Sequence, residues 1–196
     1  MIHEVDQRSD DWYGLRLGRM TASHAQAIGA NGKGLESYIH KVMTEYYSKA
    51  PQEGFTSDAM QRGIDLEDSA VFMYEVETGR KVEKVGFVSM NEYVGASPDG
   101  FVDDDGLIEV KCPLDPEMFR MLLGGEIKPE YIAQVQMQMY ITGRKWTDFV
   151  CYSPNFDREL IIKRVLPDEK KIEKLEAGIL SGTKMIQDIM KQMENL

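Results

Sequence analysis

Apolar residues recur every three or four positions in several stretches of the chain, which is the spacing of a buried helix face. Residues 35–49, for example, align Leu35, Tyr38, Ile39 and Val42 along one side. The pattern and its flanking breakers predict five helices, over residues 35–49, 57–79, 116–123, 129–142 and 168–193.

The ends of two of these helices carry typical boundary residues. Ser57 is placed to cap the second helix and Gly79 to end it, while Pro129 opens the fourth and Gly143 follows its last turn. Serine is favoured at helix N-caps, proline in the first turn and glycine just past the end. Residues 50–56, between the first two helices, are predicted to form a turn.

Short stretches rich in β-branched residues alternate with these helices and predict strands. They cover residues 82–90, 94–102, 107–111, 146–153 and 159–166. The first three follow one another with short turns between them, which predicts a three-stranded antiparallel meander. The order of elements predicts an α/β (α+β) fold with a central mixed β-sheet flanked by helices.

Length and composition favour a single soluble domain. The 196 residues are 42% hydrophobic and 29% charged, which is ordinary for a folded chain. Two cysteines are too few for a disulfide scaffold, a four-cysteine zinc site or a four-cysteine iron–sulfur cluster. No apolar run reaches the ~20 residues of a membrane helix, and the N-terminus is not that of a signal peptide. We therefore expect no membrane association and a reducing, cytoplasmic location.

Nearly all of the net charge of −10 falls within one quarter of the chain. Residues 58–109 hold 13 acidic residues and four basic ones, a net charge of −9. Such a block is usually a solvated face, but some of its carboxylates are also suited to binding divalent cations. The overall acidity therefore does not exclude a nucleic-acid substrate.

Three charged residues at the end of this block form the most informative pattern. Asp99 ends one predicted strand, and Glu109 and Lys111 lie two apart on the next, so that their side chains point to the same face. A hairpin between the strands would bring Asp99 close to that pair. Two carboxylates beside an ammonium suit hard cations with oxygen ligands.

This arrangement suits the hydrolysis of a phosphodiester. Asp99 and Glu109, with a backbone carbonyl next to Glu109, are candidate ligands for one or two Mg²⁺ ions. Three roles stay open for Lys111: it could orient the attacking water, deprotonate it or stabilise charge on the phosphate. The neighbouring carboxylates should raise the pKa of Lys111, so that a role as base depends on bound cations.

The chain resembles the lambda-exonuclease (YqaJ-like) family of phage recombination enzymes, within the PD-(D/E)-x-K nuclease superfamily. The similarity extends over most of the chain and depends on the order of several short segments. These are WYGLRLGRMTAS at 12–23, GIDLE at 63–67, SPDG at 97–100, LIEVKCP at 107–113, GG at 124–125 and YIAQVQ at 131–136.

The resemblance implies a restriction-endonuclease-like core and a metal site. Asp99, Glu109 and the carbonyl of Val110 would hold Mg²⁺, with Glu67 near a second ion and Lys111 as the catalytic lysine. Two Mg²⁺ ions are expected, and Mn²⁺ should substitute for them.

The resemblance also implies that Tyr131 and Gln134 reach the scissile phosphate or its water. They lie three apart on one predicted helix face, which they share with Gln138. Gln136 and Tyr140 fit the Gln-x-x-x-Tyr pattern of related nucleases, so the choice between Gln134 and Gln136 stays open.

A second predicted site lies near the N-terminus. Thr21 or Ser23 is predicted to cap a helix beginning near residue 22, which would leave amide donors for an anion, with Arg16 as its partner. The resemblance implies that Arg16, Ser23 and Ser97 form a pocket for a 5′-terminal phosphate. Lys33, in a glycine-rich loop, is a candidate basic contact with DNA.

Together these features predict a Mg²⁺-dependent 5′→3′ double-strand DNA exonuclease that releases mononucleotides and leaves a 3′ single strand for recombination. By resemblance it would act as a trimeric ring on DNA ends, together with a phage single-strand annealing protein. It would be one nuclease domain over residues 1–196, with residues 1–56 as a helical DNA-end-binding part, 57–166 as the catalytic core and 167–196 as a C-terminal helix. The alternatives are another PD-(D/E)-x-K endonuclease or resolvase, and a non-catalytic DNA-end-binding module.

Overall fold

The computed structural model describes residues 1–50 and 58–196. Within these residues the α-helices are α1 Asp10–Arg16, α2 Ala25–Ala30, α3 Lys33–Ser48, α4 Asp58–Thr78, α5 Asp115–Leu122, α6 Pro129–Thr142 and α7 Glu169–Met193. The strands are β1 Ile2–His3, β2 Met20–Thr21, β3 Val82–Glu83, β4 Phe87–Ser89, β5 Val94–Ala96, β6 Gly100–Val102, β7 Gly106–Lys111, β8 Trp146–Tyr152 and β9 Leu160–Val165.

The predicted helices form close to where the periodicity placed them. Helix α6 has the predicted bounds, with Pro129 in its first turn and Gly143 following in the left-handed region at φ 70°. Helix α7 begins after Asp168, whose side chain accepts a hydrogen bond from the amide of Lys171. The predicted turn over residues 50–56 and the Ser57 cap fall largely or wholly on residues 51–57, which lie outside the described residues.

The three stretches pair in antiparallel fashion as predicted, but the chain divides their strands between two sheets. One sheet has the order β1-β4-β5-β2 and the other the order β3-β6-β7-β8-β9. The stretch predicted as one strand over 82–90 splits into β3 and β4, and that over 94–102 splits into β5 and β6. Strand β3 pairs with β6 and β4 with β5, both antiparallel, and β6 pairs in the same way with β7.

The five-stranded sheet is the predicted central mixed sheet. Strands β7 and β8 pair in parallel over Gly106–Lys111, and β6 and β9 flank them in antiparallel pairs. Helix α4 packs on the face that includes Val110 and Val150, while α5 and α6 cover the face of Phe149 and Cys151. The α/β fold with helices on both faces of a mixed sheet is therefore confirmed.

The second sheet adjoins a helical layer made of α2, α3 and α7. The contact between α2 and α7 depends on Gly178, because a Cβ atom there would lie 1.8 Å from the carbonyl oxygen of Ile28. Leu175, Ile179 and Ile186 of α7 are buried in the same layer. No helix within residues 1–50 and 58–196 is long and apolar enough to cross a membrane.

Candidate active site

A cleft of about 820 Å³ runs between the N-terminal helices and the end of β7. One part of its wall comes from α4, β7, α6 and the residue before β6, and includes Glu67, Lys111, Tyr131 and Asp99. Another part is cationic and includes Arg16, Arg19 and Lys41. The cleft therefore joins the acidic block of the sequence to basic groups that are distant from it along the chain.

Asp99 reaches the edge of β7 as the hairpin prediction required. The pairing of β6 with β7 ends at Gly100 and Ile108. Beyond it, the Val110 amide donates a hydrogen bond of 2.7 Å to Asp99 Oδ2. Because the N–H and C=O of an extended residue point to the same side, the Val110 carbonyl also faces this edge.

Glu109 is the most deeply buried member of the group and accepts from several donors. Its residue is 1% exposed. Lys111 forms an ion pair with Glu109 Oε1, and Gln134 Nε2 donates to the same oxygen at 2.7 Å. Gln138 Nε2 donates to Glu109 Oε2, also at 2.7 Å. Glu109 and Lys111 thus share one face of β7, as their spacing predicted.

Burial and mutual charge determine the electrostatics of this group. Burial, reinforced by the Glu109 carboxylate, raises the pKa of Asp99 well above its usual value, although Lys111 opposes the shift. Burial alone would lower the pKa of Lys111, but Glu109 and Asp99 outweigh it and raise that pKa. Two adjacent carboxyl groups therefore share one ammonium, and this shortage of positive charge favours the protonated form of Asp99.

The donor set of this edge fits a hard divalent cation. Two carboxylates and the Val110 carbonyl are oxygen ligands of the kind that Mg²⁺ prefers, and an added positive charge would favour the ionised form of Asp99. Within residues 1–50 and 58–196, no three His, Cys, Asp or Glu side chains are grouped so as to hold a metal ion.

Glu67 lies near this edge but is paired with a basic residue. Its carboxylate is close enough to help raise the pKa of Asp99, and Arg8 Nη1 lies 3.1 Å from Glu67 Oε2. Arg8 has a left-handed backbone at φ 72°. The third predicted acid, Glu67, therefore lies beside the site and is paired with Arg8.

Helix α6 presents two of its predicted polar residues to the site. The Tyr131 ring stacks on Phe149, and Lys111 Nζ lies 5.0 Å from its centroid. Gln136 points away from the site: it donates to the Leu166 carbonyl and accepts from the Asp168 amide, both at 2.8 Å. Between the two glutamines left open by the sequence, Gln134 is the one that contacts Glu109.

The cationic part of the cleft is built on aromatic rings. The Arg16 guanidinium lies 4.2 Å from the centre of the Trp12 ring. The His24 ring stacks on Tyr38 with centroids 4.0 Å apart. Burial, assisted by the charges of Lys41 and Arg16, lowers the pKa of His24 to about 4. His24 is therefore neutral at physiological pH, and the positive charge beside it comes from Arg16 and Lys41.

The predicted cap in this region is wrong. Thr21 precedes a short 3₁₀ helix, Ala22–His24, and its side chain makes no capping hydrogen bond. The hydroxyl of Thr21 instead lies within hydrogen-bonding distance of Ser23 and of the Tyr38 hydroxyl. A helix therefore begins at Ala22 as predicted, but the hydroxyls of Thr21 and Ser23 contact other side chains and do not cap it.

The predicted phosphate-pocket residues are only partly brought together. Arg16 lines the cleft, whereas Ser23, Ser97 and Lys33 are not among its lining residues. Ser97 Oγ accepts a 2.8 Å hydrogen bond from the Trp12 indole, so it lies behind a residue that does line the cleft. Lys33 is exposed at the start of α3.

Comparison with known proteins identifies the family. Residues 11–145 match the model of the YqaJ-like viral recombinase domain. The chain belongs to this family. The matched segment includes every site residue described above from Arg16 to Gln138, while Arg8 lies just before it. Sequence comparison with curated proteins gave no match.

Solved structures place the YqaJ-like chain among exonuclease folds. It is 32% identical to an alkaline exonuclease from Laribacter hongkongensis, with a TM-score of 0.88 over 95% of this chain and 97% of that one. The same enzyme in complex with dAMP gives a TM-score of 0.87 at 32% identity, with the same coverage of both chains. A phage-related exonuclease from Haemophilus somnus shares the fold at 17% identity, with a TM-score of 0.66 over 92% of this chain and 98% of that one.

Sequence reasoning missed several residues that line the cleft of this YqaJ-like domain, and one, Gln138, that is buried behind it. Gln138 was noted only as sharing a helix face with Gln134, yet its i+4 spacing was the signal that it would reach the same carboxylate. No local signal pointed to Arg8 as the partner of Glu67, or to Lys41 and His24 as cleft residues. Their positions depend on contacts between distant parts of the chain.

Proposed function

We propose that this YqaJ-like chain is a Mg²⁺-dependent 5′→3′ exonuclease acting on double-stranded DNA. It digests the 5′-phosphorylated strand to mononucleotides and leaves a 3′ single strand for phage-type recombination. The observation that carries the proposal is the cleft itself. Asp99 and Lys111 line one part of it, with buried Glu109 paired to Lys111 behind them, and Arg16 and Lys41 line another part.

The reaction centre is assigned to the end of β7. Asp99, Glu109 and the Val110 carbonyl would hold Mg²⁺, and Glu67 would contribute to a second ion after release from Arg8. When bound, divalent cations polarise the phosphate and stabilise the leaving oxygen. Mn²⁺, with similar oxygen-ligand preferences, should substitute.

Lys111 and its helix neighbours act on the phosphate and the attacking water. With its raised pKa, the Lys111 ammonium is charged in the metal-free site and is suited to stabilise negative charge on the phosphate. It becomes available as a general base only when the carboxylates around it are otherwise neutralised. Gln134 fixes one oxygen of Glu109, and Tyr131 lies beside Lys111 to contact the phosphate.

The cationic part of the cleft is proposed to select the 5′ end. Arg16 has a planar guanidinium that suits a terminal phosphate, and its position over Trp12 restricts its orientation. Ser23 and Ser97 would complete the pocket after local rearrangement, and Lys33 would contact the DNA backbone. Binding of the terminal phosphate at a fixed distance from β7 would set the polarity and the size of the product.

Two comparisons support this function. An alkaline exonuclease shares 32% of its residues with this chain, and its structure with dAMP shows that a nucleoside monophosphate binds to that relative. We further propose that the single domain assembles into a trimeric ring around DNA and works with a phage single-strand annealing protein. It would act in the host cytoplasm, where its DNA substrate is located.

The test uses linear duplexes labelled at the 5′ or the 3′ end, with and without a 5′-phosphate, and a closed circular duplex. We expect rapid release of the 5′ label as a mononucleotide in Mg²⁺, slower release without the phosphate, and no cleavage of the circle. A chelator and the Glu109→Gln variant should abolish release. Cleavage of the circle would instead identify an endonuclease, and digestion in chelator would overturn the metal-dependent mechanism.

A further inference from the structure

Gln138 is a buried polar residue to which the proposed reaction assigns no role. It lies on α6 one turn after Gln134, and it is 0% exposed. Its Nε2 donates to Glu109 Oε2 at 2.7 Å. Its Oε1 has no hydrogen-bond partner among residues 1–50 and 58–196. A buried amide oxygen without a partner is unfavourable. The hydrogen bond from Nε2 to Glu109 is therefore the favourable polar contact that the Gln138 side chain makes.

The carboxylate of Glu109 determines which way this amide points. An ionised carboxylate only accepts hydrogen bonds, so the amide nitrogen must face it and the amide oxygen must face away. Gln134 binds the other oxygen of Glu109 at the same distance, 2.7 Å. The two amides come from one face of one helix and hold both oxygens, so together they fix the plane of the carboxylate.

We propose that Gln138 is a positioning residue that orients Glu109 for metal binding. This inference rests on the proposed function, in which Glu109 is a metal ligand. Gln138 touches neither the substrate nor the reacting atoms, and it acts only by restricting rotation of the Glu109 carboxylate. Groups that hold a metal-binding carboxylate from behind typically change metal affinity or activity by about 10- to 100-fold when removed.

Helix α6 supplies a matched control in Gln136. This glutamine is also buried, at 1% exposure, but it binds the Leu166 carbonyl and the Asp168 amide between α6 and α7. Gln136→Met and Gln138→Met therefore make the same chemical change two residues apart on one helix. Only the second removes a contact with Glu109.

The experiment measures Mn²⁺ binding by electron paramagnetic resonance, and kcat and KM on a 5′-phosphorylated duplex. For Gln138→Met we expect Mn²⁺ affinity about tenfold weaker and kcat lower by about 10- to 100-fold, with KM for DNA within about twofold of wild type. Gln136→Met should leave Mn²⁺ affinity and kcat within about twofold and should instead lower the thermal unfolding midpoint, because two hydrogen bonds to backbone groups are lost. If Gln138→Met does not fold, Gln138→Leu is the second apolar replacement, and we expect it to show the same loss of Mn²⁺ affinity and of kcat.

Wild-type Mn²⁺ affinity and kcat in folded Gln138→Met or Gln138→Leu would overturn the inference and reduce Gln138 to a packing residue. The Glu109→Gln variant separates this failure from failure of the proposed function. If wild type binds Mn²⁺ and Glu109→Gln does not, Glu109 is supported as a metal ligand, independently of the result for the Gln138 variants. If Glu109→Gln binds Mn²⁺ as wild type does, both the metal site and the role of Gln138 are refuted.

Discussion

The contact between α2 and α7 makes a sharp prediction at Gly178. The two helices approach so closely there that a Cβ atom would lie 1.8 Å from the carbonyl oxygen of Ile28 and 2.6 Å from its carbonyl carbon. An ordinary van der Waals separation is about 3.5 Å. Because the obstacle is backbone rather than a flexible side chain, Gly178→Ala must push the two helices apart.

The cost follows from the buried surroundings of this contact. Ile28 is 0% exposed and Leu175 is 2% exposed, so separation of the helices would disturb a closely packed layer. Overpacking of a core costs about 1–3 kcal/mol, while alanine gains about 1 kcal/mol over glycine in helix propensity. With backbone as the obstacle we take the upper end of the cost, so the net loss in free energy of unfolding is about 2 kcal/mol. For a chain of this size that corresponds to a fall in Tm of roughly 4–8 °C.

Thermal and urea unfolding followed by circular dichroism measure this change. Gly14→Ala in α1 is the matched control, because within the described part of the chain no atom outside its own helix and its chain neighbours lies within 4 Å of the added Cβ. It should stabilise the protein by about 0.5–1 kcal/mol. If Gly178→Ala is as stable as wild type, or more so, the close approach of α2 and α7 is not a feature of the protein.

Three further predictions concern the site and its support. Lys111→Met should lower Mg²⁺-dependent digestion by at least about 10²-fold while binding of duplex ends, measured by mobility shift, persists; digestion near the wild-type rate would refute the role of Lys111. Tyr74→Phe removes a 2.7 Å hydrogen bond to buried Asp148 and should cost about 1.5–3 kcal/mol in urea unfolding, because the acceptor is charged; no change would show that Asp148 does not need this donor. The pKa of His24 is about 4 in the folded protein against 6.5 in the unfolded chain. Between these two pH values the unfolded chain binds a proton at His24 and the folded protein does not. His24 therefore makes the free energy of unfolding fall as the pH drops from about 6.5 to 4. His24→Asn should therefore lose less stability than wild type between pH 7 and pH 4.5, and an equal loss would contradict the lowered pKa.

The helices were predictable because their signals are local. The periodicity of residues 129–142 with Pro129 and Gly143 at the ends placed α6 correctly, and residues 35–49 gave most of α3. The stretches 82–90 and 94–102 do pair in antiparallel fashion, but the break within each of them was not predicted, for a physical reason. Their apolar residues are buried in either sheet, so the pattern could not show that the chain crosses from one sheet to the other within each stretch.

The candidate site shows the same division. The two-residue spacing of Glu109 and Lys111 placed both side chains on one face, and the hairpin brought Asp99 to the same edge. The choice between Gln134 and Gln136 needed the orientation of α6 relative to β7. The ion pair of Arg8 with Glu67 joins residues 59 positions apart. No sequence pattern near either residue predicts this contact.

By itself, the sequence determined the α/β class, the approximate bounds of helices α3 to α7, the family and the group of Asp99, Glu109 and Lys111. Each of these is encoded by spacing within one element, or by the order of short segments along the chain. The tertiary structure alone decided which sheet each short strand joins, which glutamines hold Glu109, and that Arg16 and Lys41 line the same cleft as Lys111. Periodicity predicts which side chains are buried, but the residues that they pack against depend on how distant elements of the chain come together.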